Sequence, residues 1–205
     1  MNTTQTSKSR NDADLPELIE RCLAGDQQAF ATLYERHAPS LYRLAYSVLL
    51  VEQDAEDVLQ ESLVYAFRNL RRYDVERGAF RTWLYTITIS RCRNARRRKW
   101  LPTVALTNLL NVGIEPPTPE SESPEALAAW EELRSALAAA LRTLSPRLRE
   151  AIALRYGQGL TYREMAEVMD CPQKTAESRV RLAHESLRKA MSPADQAALE
   201  ELWSI

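Results

Sequence analysis

The sequence predicts an all-α fold: two small helical domains joined by a flexible linker, the C-terminal one a helix-turn-helix. Three observations carry that expectation. Apolar residues recur at three- and four-residue spacing through long segments, and the 205 residues include only five glycines. Residues 101–123 gather Pro102, Pro116, Pro117 and Pro119 with Gly113, Glu115, Glu120 and Glu122 and no basic residue, a composition suited to an extended connection. Residues 160–191 read as two amphipathic helices around a break at Asp170-Cys171-Pro172, since proline cannot continue a helix but fits the start of the next.

The opening stretch, MNTTQTSKSRNDAD, is polar and lacks the apolar core of a signal peptide, so residues 1–13 are expected to be disordered. A first domain is expected over 14–100. Leu18, Ile19, Cys22 and Leu23 mark a short helix ending at Gly25, and Asp26 can cap the next. That helix or helix pair runs to about Leu50, with Phe30, Leu33, Tyr34, Leu41, Tyr42, Leu44, Ala45 and Val48 expected inside and Pro39 expected as a kink or break.

The next helix, 51–70, is one-sidedly acidic, with Glu52, Asp54, Glu56, Asp57 and Glu61 before any basic residue. Ala55, Val58, Leu59, Ala66, Phe67 and Leu70 form its inward stripe, while Asp54, Asp57, Glu61 and Tyr65 share the outward face. Like charges at that spacing repel by a few tenths of a kcal/mol per pair, roughly, so a basic partner surface is the natural explanation, against a merely solvated face.

The sign then reverses. Arg68, Arg71, Arg72, Arg77, Arg81, Arg91, Arg93, Arg96, Arg97, Arg98 and Lys99 oppose only Asp74 and Glu76, a polyanion-binding signature that the net charge of −1 conceals. Aromatic residues Tyr65, Phe67, Tyr73, Phe80, Trp83, Tyr85 and Trp100 are interleaved, and unstacked bases can stack on such rings. Phe80 and Trp83 are assigned to packing, with Leu84, Ile87 and Ile89, in a helix set against the acidic one. Tyr73 is left as the exposed candidate, in a loop over 69–78.

After the linker, whose apolar residues Val104, Leu106, Leu109, Leu110, Val112 and Ile114 have a docking or a local packing role, the second domain is expected over 124–191. Ser123-Pro124 and Ser145-Pro146 place a capping residue before proline, starting helices over 124–141 and 146–156 that stop at Gly157 and Gly159. Thr161 and Glu164 have capping-box spacing and open the first helix of the pair, with Met165, Ala166 and Met169 on its inner side. In the second, Ala176, Val180, Ala183 and Leu187 form the buried stripe; Lys174, Glu177, Ser178, Arg181, Leu182 and Glu185 point outward. This is the layout of a helix-turn-helix. A tail over 192–205, with Leu199, Leu202 and Trp203, completes the chain as a docking helix or a frayed end.

Several classes are disfavoured. No apolar run approaches the roughly 20 residues of a membrane span, so no membrane insertion is expected. Cys22, Cys92 and Cys171 are odd in number and far apart, which suggests neither a disulfide framework nor a zinc site and fits a reducing cytoplasm. No metal site, cofactor or catalytic set is expected: the two histidines, His37 and His184, lie in different domains without a nucleophile or ligand spacing nearby.

Taken in order, DAEDVLQESLVYAF, FRTWLYTITISRCRNARRRK, the proline-rich linker and LSPRLREAIALRYGQGLTYREMAEVMDCPQKTAESRVRLAHESLRKAM resemble a bacterial sigma-70 family RNA polymerase sigma factor of the extracytoplasmic-function group. The resemblance spans most of residues 15–191. It implies that the first domain binds the clamp coiled coil of core RNA polymerase and melts the −10 element, and that the last domain reads the −35 element. Its partners would be core polymerase, promoter DNA as duplex and melted strand, and an anti-sigma factor.

By this resemblance Asp54, Asp57, Gln60 and Glu61 meet the polymerase, with Tyr65 on the same face. The base-capturing loop takes in Asn69, Arg71, Arg72, Tyr73 and Arg77, and Arg81 with the helix that follows, through Arg91, Arg93, Asn94, Arg96, Arg97, Arg98 and Lys99, completes the −10 surface and holds phosphates. Lys174, Thr175, Glu177, Ser178, Arg179, Arg181, Leu182 and His184 are the −35 contacts. Where relatives commonly carry Lys or Arg, this chain has Glu177, Leu182 and His184. Glu177 can accept from a cytosine amino group and Leu182 can touch a thymine methyl, so a different upstream sequence is expected. His184 is expected to be simply an exposed helix residue. A stand-alone helix-turn-helix regulator is the rival reading, but it leaves the acidic face and the arginine-aromatic run without a task.

Overall fold

The computed structural model describes residues 14–99 and 124–195, and the expectations for the N-terminal stretch, Trp100, the linker and residues 196–205 fall outside them. Among the described residues all regular structure is helical. Helix α1 (Leu15–Leu23) leads into α2 (Gln27–Leu49), α3 (Glu52–Arg68) and α4 (Phe80–Lys99). Two short 3-10 turns, Leu70–Arg72 and Val75–Arg77, bridge α3 and α4. The second unit holds α5 (Pro124–Thr143), α6 (Pro146–Ile152), α7 (Tyr162–Met169) and α8 (Gln173–Ala190).

The signals that start these helices are local. Asp26 accepts from the backbone N–H groups of Gln28 and Ala29 at 2.8 and 3.3 Å, satisfying two donors that α2 cannot bond itself. Thr161 and Glu164 form the expected capping box of α7. Asp170 ends α7 with φ of 51°, a left-handed turn that asparagine-like side chains tolerate, and Pro172 caps α8.

Pro39 does not break α2, which continues through it as a single helix. The proline lies on the exposed side, where water can meet the carbonyl whose helical bond is lost. Tyr34, expected inside, is 45% exposed, and Leu23 on α1 is 42% exposed. After α6 the helix widens into one π-type turn, Ala153–Gly157, before the chain reverses.

Helices α2, α3 and α4 pack together around Leu33, Leu41, Leu44, Val58, Leu63, Phe80, Leu84 and Ile89. Burying each such side chain is worth about 1.5–3 kcal/mol. The same apolar cluster continues into Leu154, Leu160, Met165 and Met169, so the second unit is seated on the first along α2 and α4. A second cluster, including Leu141, Leu144, Ile152 and Leu187, holds α5 to α6 and α8.

Candidate nucleic-acid interface

On α3, Asp57 and Gln60 are exposed, Asp54 and Glu61 are half-buried and Tyr65 is 36% exposed. Glu61 is engaged within the chain: both its oxygens accept from an Arg98 Nη at 3.2 Å. The Arg91 guanidinium lies 4.7 Å over the Tyr65 ring, a cation–π contact. The acidic face of α3 and the basic end of α4 therefore meet along one ridge.

Asn69 caps α3 by donating through Nδ2 to the Tyr65 carbonyl at 2.9 Å. Beyond it Arg71, Arg72 and Arg77 are exposed, but Tyr73 is not the free platform expected of it. Its ring packs on Phe80 and Trp83 at centroid distances of 5.0 and 5.6 Å, and its hydroxyl donates to the Gly78 carbonyl at 3.2 Å. The three rings compete successfully with solvent because edge and tilted contacts add to their burial. One side of Tyr73 still faces a cleft of about 240 Å³ lined by Arg72, Arg77, Trp83, Thr86 and, from the second unit, Glu167. Asp74 shapes the loop by accepting from the Glu76 N–H at 3.0 Å, and Gly78 takes φ of 152°, a backbone state L side chains rarely adopt.

Along α4, Arg81, Arg93 and Arg96 turn toward the second unit. Arg93 Nη2 lies 2.7 Å from Glu150 Oε2 and 3.3 Å from the Met169 carbonyl, while its Nε donates to both Glu150 oxygens at 3.2 Å. Arg96 and Arg147 approach the same carboxylate at 3.9 and 3.7 Å. Glu150 is wholly buried. Arg81 reaches Glu164 at 3.1 Å. Burial alone would raise the Glu164 carboxyl, but hydrogen bonds from Thr161 and the Arg81 guanidinium outweigh it and hold the group below its ordinary range. Arg97 bonds to Asn94, and Lys99 ends the helix.

On α8, Lys174, Arg181 and Leu182 are exposed; Thr175, Glu177, Ser178 and Arg179 are half-buried, so the outward face is narrower than periodicity implied. Glu177 accepts from Gln173 Nε2 at 2.9 Å, one turn earlier. Arg179 lies 3.6 Å from the Cys171 sulfur, and Arg181 pairs with Glu185 at 2.5 Å. His184 is not a bare exposed residue: its Nε2 is 2.8 Å from the Tyr156 hydroxyl, which joins α8 to the π-type turn.

Sequence reasoning missed Glu150, Glu167 and Gln173. An available signal was an acid directly before the apolar pair Ala151 and Ile152. Among the described residues no group of three or more His, Cys, Asp or Glu side chains is placed to hold a metal ion.

A helix-turn-helix on one unit and an arginine-rich cleft lined by aromatic rings on the other are features of a nucleic-acid-binding protein. Residues 33–101 match the family Sigma-70 region 2, and residues 134–187 match Sigma-70, region 4. The ECF RNA polymerase sigma-E factor of Salmonella typhimurium is 36% identical over 180 residues, 86% of this chain and 93% of that protein. The RNA polymerase sigma-H factor of Pseudomonas aeruginosa is 33% identical over 181 residues, with the same coverage of 86% and 93%. The solved structure of CnrH in complex with the cytosolic domain of CnrY superposes with a TM-score of 0.60 at 28% identity, over 84% of this chain and 94% of that one. The chain belongs to the sigma-70 family of RNA polymerase sigma factors, in the extracytoplasmic-function group.

Proposed function

We propose that the chain binds core RNA polymerase, directs it to promoters carrying −35 and −10 elements, and helps to melt them at initiation. The observation that carries this is the ridge where the acidic α3 face meets the basic, aromatic-lined α4 surface: a binding face for a basic partner lies directly beside a surface suited to a displaced strand. In this reading Asp54, Asp57, Gln60, Glu61 and Tyr65 meet the polymerase clamp. Phosphate contacts from Arg91, Arg93, Arg96, Arg97, Arg98 and Lys99 set register, and the Tyr73 cleft takes a base.

Helix α8 presents Lys174, Thr175, Glu177, Ser178, Arg179, Arg181, Leu182 and His184 to the −35 duplex. Glu177 is held by Gln173 at the amino-terminal end of the helix, where base edges are read. The chain acts by binding and not by catalysis, and its place of work is the cytoplasm. No helix among the described residues is long and apolar enough to cross a membrane. An anti-sigma factor is its protein partner in this reading, and CnrH, which this chain resembles, was solved in complex with the cytosolic domain of CnrY. Mixing the purified chain with core polymerase and sequencing the promoters opened tests the proposal. Shared upstream elements at fixed spacing are expected, and start sites no different from those of core polymerase alone would refute it.

A further inference from the structure

Around the buried Glu150 carboxylate positive charge outnumbers negative. Arg93 and Arg96 reach it from α4 and Arg147 from its own helix, α6, while Arg149, the residue before it, lies close enough to Arg96 for their charges to oppose. Arg93 takes the hydrogen bonds, the shortest at 2.7 Å. Arg96 and Arg147 stand at 3.9 and 3.7 Å, beyond hydrogen-bond length, so they feel the carboxylate without being bonded to it. Four arginines against one glutamate leave an excess of three positive charges. Arg149 is the least compensated of the four. Among the described residues its buried Nε has no hydrogen-bond partner, and burial, with the nearby Arg96 charge after it, holds its pKa below the ordinary arginine range. Water satisfies an orphan N–H but does not offset two facing cations; an anion does both.

We infer that Arg96, Arg147 and Arg149 form a binding site for a multiply charged phosphate group, seated beside Glu150 between α4 and α6. The planar guanidinium fork meets a phosphate with parallel donors, and a phosphate chain end brings the several negative charges that one more carboxylate would not. Arg147 and Arg96 keep 54% and 36% of their side-chain surface open to solvent, so an incoming anion reaches the site past them. Two sources share this chemistry, the end of a free oligophosphate and the backbone of a nucleic-acid strand. A chain end carries more charge per phosphate than a diester and has no sugar on its far side to accommodate beside the half-buried Arg149. The free oligophosphate is therefore the better match. The site needs only the approach of α4 to α6 and does not depend on α4 serving the −10 element.

The test titrates the full chain with sodium tripolyphosphate by calorimetry and follows thermal melts in parallel. Tripolyphosphate should raise the melting temperature of the wild type progressively with concentration, as any ligand of the folded state does. Arg149→Met keeps an unbranched side chain and removes the charge; it should weaken tripolyphosphate binding at least about tenfold. Without the anion this variant should melt no lower than the wild type, because the opposition to Arg96 is gone. Arg147→Gln should weaken binding at least about threefold, and it decides if Arg149→Met does not fold. Arg163→Gln removes an exposed arginine of α7 and should leave the affinity unchanged. A random single-stranded 12-mer separates the sources. Dependence on Arg149 for tripolyphosphate and not for the 12-mer assigns the site to a free oligophosphate, and equal dependence upholds the site with strand phosphate as its source. Tripolyphosphate binding that survives Arg149→Met and Arg147→Gln, or that falls equally in Arg163→Gln, places the anion elsewhere on the basic surface and overturns the inference.

Discussion

Arg93 grips the buried Glu150 carboxylate with two donors, the shortest contact being 2.7 Å, and so ties the middle of α4 to α6 across 57 residues of sequence. Removing the guanidinium leaves Glu150 buried with only Arg96 and Arg147, at 3.9 and 3.7 Å. Breaking one side of a buried pair costs roughly 3–5 kcal/mol, and the two remaining arginines place this case near the lower end. Arg93→Ala should therefore lower stability by about 3 kcal/mol, and Arg93→Ala with Glu150→Ala by less than that. Urea denaturation of the three chains checks this; equal stability of single and double variants would show that Glu150 is not stranded.

The polymerase-facing assignment predicts that Asp57→Lys with Glu61→Lys weakens association with core polymerase at least tenfold while helical content stays constant. Glu61 also loses Arg98, but that pair is solvent-exposed and worth no more than about 1 kcal/mol. Pull-down with purified core, alongside circular dichroism, separates the two effects. Undiminished binding would remove the reason for placing polymerase on that face.

In the proposed reading α8 approaches a polyanion, and Glu177 is an acid at its front whose carboxylate accepts from Gln173. Glu177→Lys should strengthen binding to many upstream sequences and lower preference at one base pair by roughly 1–3 kcal/mol. A randomised −35 library transcribed by both holoenzymes reads this out. Identical sequence profiles would mark Glu177 as a tolerated surface residue.

Because Glu164 titrates below its ordinary value of 4.5, its contribution to stability is complete above that pH and fades as pH falls through the lower folded value. Thermal melts of wild type and Glu164→Gln should differ at pH 7 and converge as acid is added below about pH 4.5. A gap that widens on acidification would mean that Glu164 gains nothing from Thr161 and Arg81.

The elements with local chemistry were legible in the sequence: the Thr161 and Glu164 cap, the turn at Pro172, and the buried stripe of Ala176, Val180, Ala183 and Leu187. Helix α2 passing through Pro39 was not, because the outcome depends on which side of the helix faces water. The surroundings of Tyr73 and His184 are tertiary. Phe80 and Trp83 cover the first, Tyr156 holds the second, and neither contact has a period along the chain. The pairing of Arg93 with Glu150 is likewise invisible to periodicity, since charge complementarity at long range selects no single partner among the many acids.

In the proposed mechanism, strand opening requires this chain and core polymerase together. Permanganate footprinting tests it most directly, on a promoter selected from the sequenced start sites, with chain alone, core alone and both. Reactive thymines around the −10 element are expected only when both are present, since in the proposed mechanism α3 engages the polymerase before α4 and the Tyr73 cleft hold a displaced strand. No bubble with both, or protection of duplex DNA by the chain alone with no effect of added core, would contradict it and return the chain to the class of independent helix-turn-helix regulators.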